Sequence, residues 1–337
     1  GLNYIPVLEY KQQVGRAGRP RYDDSGTAIT LARDEEEEEF IKEFYVDGVV
    51  EPIYSQLGSK PILRFHILAA VASNFTRTRK AVNDFIKTTF FGHQYGLEDV
   101  EKPITEVIID LTEWGFIEEE KRLKATPMGQ RISQLYIDPL TARNYLQLLP
   151  NAKPADVGLL EILCDAVEVR KLYVKQNEES RLWEQAYNMA DELSRDLDGF
   201  GLDYMFLDRF KTALMFCDWI NEKTEEEITQ AYKTTAGGLY QQIQNMQWLL
   251  YSATELARIG KMPGHTKLIE LKTRMKYGVS RELLPLVSLK QVGRVRARRL
   301  YVNGYTGQEA LKMAGEKEIG RIVGEKTAKK ILEQVKT

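Results

Sequence analysis

Two arginines three positions apart, Arg16 and Arg19, stand among glycines in QQVGRAGRPRYDDSGTAI, residues 12–29. Glycine lets the backbone pass close to a ligand and leaves neighbouring guanidinium groups unobstructed. A guanidinium held against a γ-phosphate stabilises the charge of the transferring phosphoryl group, worth about a thousandfold or more in rate. The constrained string Gln12-x-x-Gly15-Arg16-x-Gly18-Arg19 is therefore a candidate phosphate contact; the plain alternative is an Arg/Gly-rich surface turn. A second candidate lies near the other end. Val292-Gly293 and Val323-Gly324 each open the pattern Val-Gly-x-x-x-Ala-x-x-(Leu/Ile), one supersecondary unit used twice. A glycine before a helix start lets backbone N–H groups and the helix dipole meet a phosphate. Arg294, Arg296, Arg298 and Arg299 surround the first copy, and Lys326 follows the second. Such cations suit sequence-independent contact with a nucleic-acid backbone; the alternative is a solvated helical cap.

The third candidate is Trp248. On a helix over 238–259, with Leu239 set at zero, Ile243, Met246, Leu250, Ala253 and Ala257 fall within about 40° of it, a buried stripe. Trp248 falls at about 180°, among Gln241, Gln244, Tyr251 and Glu255. A tryptophan there either packs on another domain or offers a flat surface to a base, worth about 1–3 kcal/mol per stacked base.

The elements that must carry these residues are mostly helical. Residues 1–32 read as an extended YIPVLEY, a helix through YKQQVGRAG and a short apolar strand GTAITLA. EEFIKEFYVDG reads as a helix after an acidic run. From 59 to 132, PILRFHILAAVASN, TRKAVNDFIKTTFF and KPITEVIIDLTEWG are three helices; FIEEEKRLKAT is strand-turn-strand, and the helix PMGQRISQLYI follows, which is the winged-helix order. Glu106, Asp110 and Glu113 on the third helix repel phosphates, so this unit reads as a scaffold, with Arg77, Arg79 and Lys80 able to touch a backbone. Helices over 140–150, 155–175, 178–195, 203–222, 224–232, 238–259 and 264–277 form a bundle. The expected fold is mainly α and multidomain: 1–58 a remnant of an α/β domain, 59–136 a winged helix, 137–281 a helical bundle, and 282–337 a helix-hairpin-helix tail.

Composition bounds the rest. The 337 residues carry 43% hydrophobic and 28% charged residues and a net charge of -2. That total hides an acidic run at 34–39 and a basic tail from Leu289, with about a dozen Lys/Arg against about five Asp/Glu. Two cysteines, Cys164 and Cys217, suggest a reducing compartment rather than a disulfide framework. His66, His93 and His265 have no metal-ligand spacing. No apolar run reaches the roughly 18 residues of a membrane span, and no signal peptide is evident. A cytoplasmic monomer without metal is expected.

EYKQQVGRAGRPRYDDSGTAI resembles motif VI of superfamily 2 helicases. Its Gly-Arg-Ala-Gly-Arg-Pro-x-x-Asp-x-x-Gly form is similar to the Ski-like branch, in particular the archaeal Hjm-type repair DNA helicases, related to the helicase half of polymerase theta. Domain order and LKATPMGQRISQLYIDPLTA agree along nearly the whole chain. The family usually has Met where Gln13 stands. The resemblance implies that Arg16 and Arg19 are arginine fingers and that Gln12, Gly15 and Gly18 face ATP, with magnesium, between two RecA-like domains. No Gly-x-x-x-x-Gly-Lys-(Ser/Thr) string occurs, so the chain reads as the C-terminal half of such an enzyme, without ATPase activity by itself. GGLYQQIQNMQWL resembles the family's ratchet helix, with Trp248 as its aromatic and Gln241 where a basic residue is usual. Gly293, Arg294, Arg296, Arg298, Gly324 and Lys326 would grip DNA from a helix-hairpin-helix tail, although Gln291 stands where an earlier glycine is usual. The implied activity is 3′–5′ unwinding of single-stranded or forked DNA in fork repair, alongside replication or repair proteins. Two alternatives stay open: a non-catalytic DNA-binding or partner-docking module, and an RNA helicase of the same branch.

Overall fold

The computed structural model describes residues 4–19, 21–96, 101–197 and 204–336. The chain is helical from Val7, inside the stretch YIPVLEY that reads as extended. Helix α1 (Val7–Val14) follows Pro6 in extended geometry, and the Glu51 carboxylate accepts the N–H groups of Val7 at 2.7 Å and Leu8 at 2.9 Å. These bonds satisfy donors that a helix start leaves orphaned, and the Leu8 N–H in particular holds the Glu51 carboxyl below its ordinary range. GTAITLA forms no strand. A strand needs a neighbour for its backbone groups, and the only ladder among the described residues is β1 (Ile117–Glu119) antiparallel to β2 (Leu123–Ala125). The acidic run becomes α2 (Glu35–Ile41), with Asp34 accepting the Glu37 N–H and the carboxylates gathered at the positive end of the helix dipole. It continues as a π-helical turn, Lys42–Val46.

Helices α3 (Lys60–Ala72), α4 (Arg79–Lys87), α5 (Phe90–Tyr95) and α6 (Glu101–Glu113) precede the ribbon, and α7 (Pro127–Leu135) follows it. The helix read over TRKAVNDFIKTTFF breaks in two because Thr88 and Thr89 turn their hydroxyls onto the Phe85 and Ile86 carbonyls, and Thr89 then caps α5. The ribbon and α7 approach so closely that a Cβ at Gly129 would lie 2.0 Å from the Phe116 carbonyl oxygen.

The bundle comprises α8 (Pro139–Leu148), α9 (Asp156–Leu163), α10 (Gln176–Asn188), α11 (Phe206–Ile220), α12 (Glu225–Tyr232), α13 (Ala236–Ile259) and α14 (His265–Tyr277). The helix read over 155–175 stops at Leu163. Beyond it the backbone bonds to side chains instead: Val167 N–H to Thr141, Leu172 N–H to Thr212 and Val174 N–H to Asp208. One hydrophobic core runs from Leu63 and Ile67 of α3 through Ile132 of α7 to Met246 and Leu250 of α13 and Met275 of α14. Winged helix and bundle are thereby welded together, and the buried pair Arg64–Asp138, bidentate at 3.0 Å, spans α3 and the start of α8. Helices α15 (Leu284–Val287), α16 (Arg294–Val302), α17 (Gln308–Lys312), α18 (Glu316–Val323) and α19 (Glu325–Lys336) enclose a separate core around Leu286, Leu300, Ile319 and Ile331. The fold is mainly α and multidomain.

Candidate nucleic-acid interface

The arginine string lies at the C-terminal end of α1. Arg16 is exposed, and its side chain makes no ion pair or hydrogen bond among the described residues. It borders a cleft of about 720 Å³ whose walls include Tyr4, Ile5, Tyr10, Gln13 and Ile29. Arg19 is exposed too, but turns back: its Nε lies 3.5 Å from Asp23, and its guanidinium lies 5.3 Å from the Tyr22 ring centre. Gly18 sits at φ +81° against Gly26, where a Cβ would come 2.3 Å from the Ala17 carbonyl oxygen. Both glycines are needed for the loop to close on itself. Gln12 and Gly15 are exposed, and neither lines the cleft; Gln13 does.

Helix α13 buries the stripe its periodicity demands, from Leu239 to Ala257. Its opposite face divides in two. The C-terminal part lies under α7: the Trp248 indole N–H donates to the Leu135 carbonyl at 2.9 Å, and Arg131 donates to the Tyr251 hydroxyl at 3.0 Å and to Glu255 at 2.8 Å. Arg258 and Arg131 hold the Glu255 carboxyl below its usual range. Of the two readings open for Trp248, the structure shows packing on a neighbouring unit: the ring is half-buried with its edge anchored on the winged helix, and part of the ring stays open. A helical projection contains only its own helix, and α7 arrives from 113 residues away.

The N-terminal part of the same face is open. Gln241 is exposed and lines a cleft of about 430 Å³, together with Gln242, Asn245, Arg170, Tyr173 and Lys233. Burial lowers the pKa of Lys171, whose ammonium donates to the Ala166 carbonyl. Arg170 and Lys233 escape a motif search because they flank α13 from outside it. The available signal is two cations brought beside the start of a long helix capped by Thr235 and opening with Ala236, Gly237 and Gly238.

In the tail, the two copies of the repeat present their glycines openly: a Cβ at Gly293 or Gly324 would meet nothing within 4 Å. Gly324, at φ +90°, leads into α19, and Lys326 is exposed without an ion pair among the described residues. Arg296 is exposed and donates to the Gln291 carbonyl at 2.8 Å. Gln291 itself sits at φ +69°, a conformation that explains why glycine suits this position. Arg294 and Arg298 depart from the expected DNA grip. Arg294 lies 5.2 Å over the Trp219 ring and donates to the Lys223 carbonyl at 2.7 Å. Arg298 donates to Glu222 at 2.9 Å and to Glu282 at 2.7 Å. Four residues apart, they share one face of α16, and that face meets the corner between α11 and α12. Their charges hold the tail to the bundle.

Among the described residues no group of His, Cys, Asp or Glu could hold a metal ion, and no helix is long and apolar enough to cross a membrane. Three family models match the chain: "Archaeal helicase, domain 4" over residues 157–278, "SAM-like Helix-hairpin-helix tandem" over 283–337, and "Helix-turn-helix domain" over 29–118. Among curated relatives, the ATP-dependent DNA helicase Hel308 of Methanocella arvoryzae is 40% identical over 98% of this chain and 46% of its own length. The proteins of the same name from Pyrococcus abyssi and Caldivirga maquilingensis are each 36% identical, over 96% and 99% of this chain and 46% and 47% of theirs. The chain thus spans about half the length of these relatives.

Proposed function

The chain belongs to the archaeal Hel308 helicase family, and on that premise we propose that it is the DNA-handling portion of an ATP-dependent helicase moving 3′–5′ along one strand of forked DNA. Residues 1–58 are the motif VI end of a RecA-like domain, 59–136 a winged helix, 137–281 a ratchet bundle and 282–337 a helix-hairpin-helix grip. The observation that carries this reading is the pair of open hairpin glycines, Gly293 and Gly324, beside exposed Arg296 and Lys326. Backbone N–H groups and cations so placed suit a phosphate chain of any sequence. Gln241 and the remaining open part of the Trp248 ring would meet the strand on α13. An indole whose edge is already anchored loses little freedom when a base stacks on it.

ATP with magnesium belongs to the full-length protein in this proposal. Arg16 fits a γ-phosphate, being an exposed guanidinium without a partner among the described residues. Arg19 reaches it by releasing an exposed contact with Asp23, at a cost on the order of 0.2–1 kcal/mol. Bound there, the nucleotide supplies the free energy of hydrolysis. Arg16 and Arg19 would neutralise charge at the γ-phosphate, and Gln12, Gly15 and Gly18 of the same string would hold the nucleotide with them. The apolar wall of the cleft beside Arg16 suits packing against the rest of that nucleotide-binding unit. By itself the chain, lacking a P-loop string, turns over no ATP.

Fluorescence anisotropy with a labelled fork, at low and moderate salt, tests the reading. Wild type should bind, and the double variant Arg296→Ala, Lys326→Ala should bind with a shallower salt dependence, by about 0.7–0.9 in log–log slope for each phosphate it no longer neutralises. Absence of binding at low salt would sink it. Tighter binding to RNA of the same sequence would favour the RNA-helicase reading instead.

A further inference from the structure

We propose that Asn303 is a site of spontaneous deamidation, its side-chain amide attacked by the backbone nitrogen of Gly304, and that the C-terminal cap of α16 sets the rate. The carboxylate so formed takes Arg299 away from DNA; that consequence alone rests on the reading that the tail grips DNA.

Both residues of the labile step serve the cap. Helix α16 ends in a Schellman motif: the Gly304 N–H donates to the Tyr301 carbonyl at 3.0 Å, and the Tyr305 N–H to the Leu300 carbonyl at 3.0 Å. Gly304 closes the motif at φ +90°, left-handed backbone that favours glycine. Leu300 is buried in the tail core and Tyr305 packs against that core, the apolar contact that accompanies such an ending. Asn303 supplies a further bond, its side-chain N–H donating to the Arg299 carbonyl at 2.8 Å. The sequence that satisfies the cap is therefore Asn-Gly, and no other asparagine of the chain precedes a glycine. A glycine has no side chain to keep its nitrogen from the neighbouring amide.

The chemistry needs only hydroxide and water. Once the Gly304 N–H has given its proton to hydroxide, the nitrogen forms a bond to the Asn303 Cγ, and the Cγ–Nδ2 bond breaks to release ammonia. Water then opens the cyclic imide at either carbonyl, leaving aspartate or isoaspartate at position 303. In the closed cap the reacting groups are held in separate bonds, the Gly304 N–H on Tyr301 and the Asn303 amide on Arg299. Attack waits for both to open. Asn303 and Gly304 are exposed, so this helix end frays directly into water. The closed cap does not return, because an ionised carboxylate has no donor for the Arg299 carbonyl and lies at the negative end of the helix dipole. Arg299, four residues earlier on the same face, is exposed and makes no ion pair among the described residues. The new carboxylate pairs with it.

The test is peptide mapping of the whole chain during incubation at neutral and mildly alkaline pH. Conversion of amide to acid should accumulate in the tryptic peptide from Leu300 to Lys312 before it appears at any other asparagine, and faster as hydroxide rises. In urea, where the cap is gone, it should run about tenfold faster or more. Tyr305→Ala, which removes the apolar contact and keeps Asn-Gly, should speed it without denaturant. Conversion that appears first elsewhere, a single rate in native and urea-unfolded chain, or a rate unchanged in Tyr305→Ala would each overturn the proposal. For the consequence, Asn303→Asp should bind a labelled fork with a log–log salt slope shallower by up to about 0.7–0.9, the share of one phosphate contact. An unchanged slope would overturn the capture of Arg299. Failure of wild type to bind the fork would overturn the DNA reading, while the peptide map decides the deamidation site by itself.

Discussion

Replacing Glu222 by Gln should loosen the tail from the bundle while leaving both hydrophobic cores intact. The two cores do not merge, so docking depends heavily on the corner after α11. There the Glu222 carboxylate accepts from Arg298 Nε at 2.9 Å and from the Ser280 N–H at 3.0 Å. Burial pushes this carboxyl up, but Arg298 and Ser280 outweigh burial and bring it from 4.5 down to about 2. Taken whole, such a shift corresponds to about 3 kcal/mol. The Arg298 side chain is 34% exposed, so solvent screening reduces the usable part to about 1–2 kcal/mol. Glutamine keeps an acceptor for Ser280 and loses the charge, so the docked-to-undocked ratio should fall about five- to thirtyfold. Amide hydrogen exchange across 288–303 reads this directly, with Glu282→Gln as a milder control because Glu282 is more exposed than Glu222. The pH dependence carries a sign. A carboxyl lowered in the docked state contributes fully above its undocked value and loses that contribution as pH falls toward the docked one. Wild-type docking should therefore hold from neutral pH to about 4.5 and loosen between about 4.5 and 2, whereas Glu222→Gln should lack this loss. Unchanged exchange protection of α16 in Glu222→Gln at neutral pH would refute the reasoning and place the docking energy in apolar contact.

Asp138→Asn should destabilise the chain by about 3–5 kcal/mol in chemical denaturation, because it leaves Arg64 buried without its counter-charge. Trp248→Phe should cost about 0.5–1.5 kcal/mol in the same assay by removing the bond to the Leu135 carbonyl; no cost would mean that the indole edge is not held there. Gln291→Gly should raise the melting temperature, since relief of about 1–2 kcal/mol of left-handed strain exceeds the roughly 0.5–1 kcal/mol entropy penalty of glycine.

The parts of this fold legible in the sequence are those written into one element at a time. The stripe from Leu239 to Ala257 is buried as its period requires, and helices, ribbon and helix follow in the expected order, with the second of the three expected helices broken into α4 and α5. What escaped depends on a partner distant in the chain. Val7 opens a helix because Glu51 takes its N–H, and of the two readings open for Trp248 the sequence could not name α7 as the element its edge packs on. The same distinction alters how the basic tail is to be read. Arg294, Arg296, Arg298 and Arg299 look equivalent as a cluster, yet 294 and 298 share the face of α16 that meets Trp219 and Glu222. A charge occupied by a neighbour releases no counterion when DNA arrives. The salt dependence of DNA binding should therefore report fewer phosphate contacts than the cations of the tail suggest. If undocking frees those two arginines, the salt dependence of Glu222→Gln should become steeper, so the grip on DNA and the hold on the bundle draw on the same side chains.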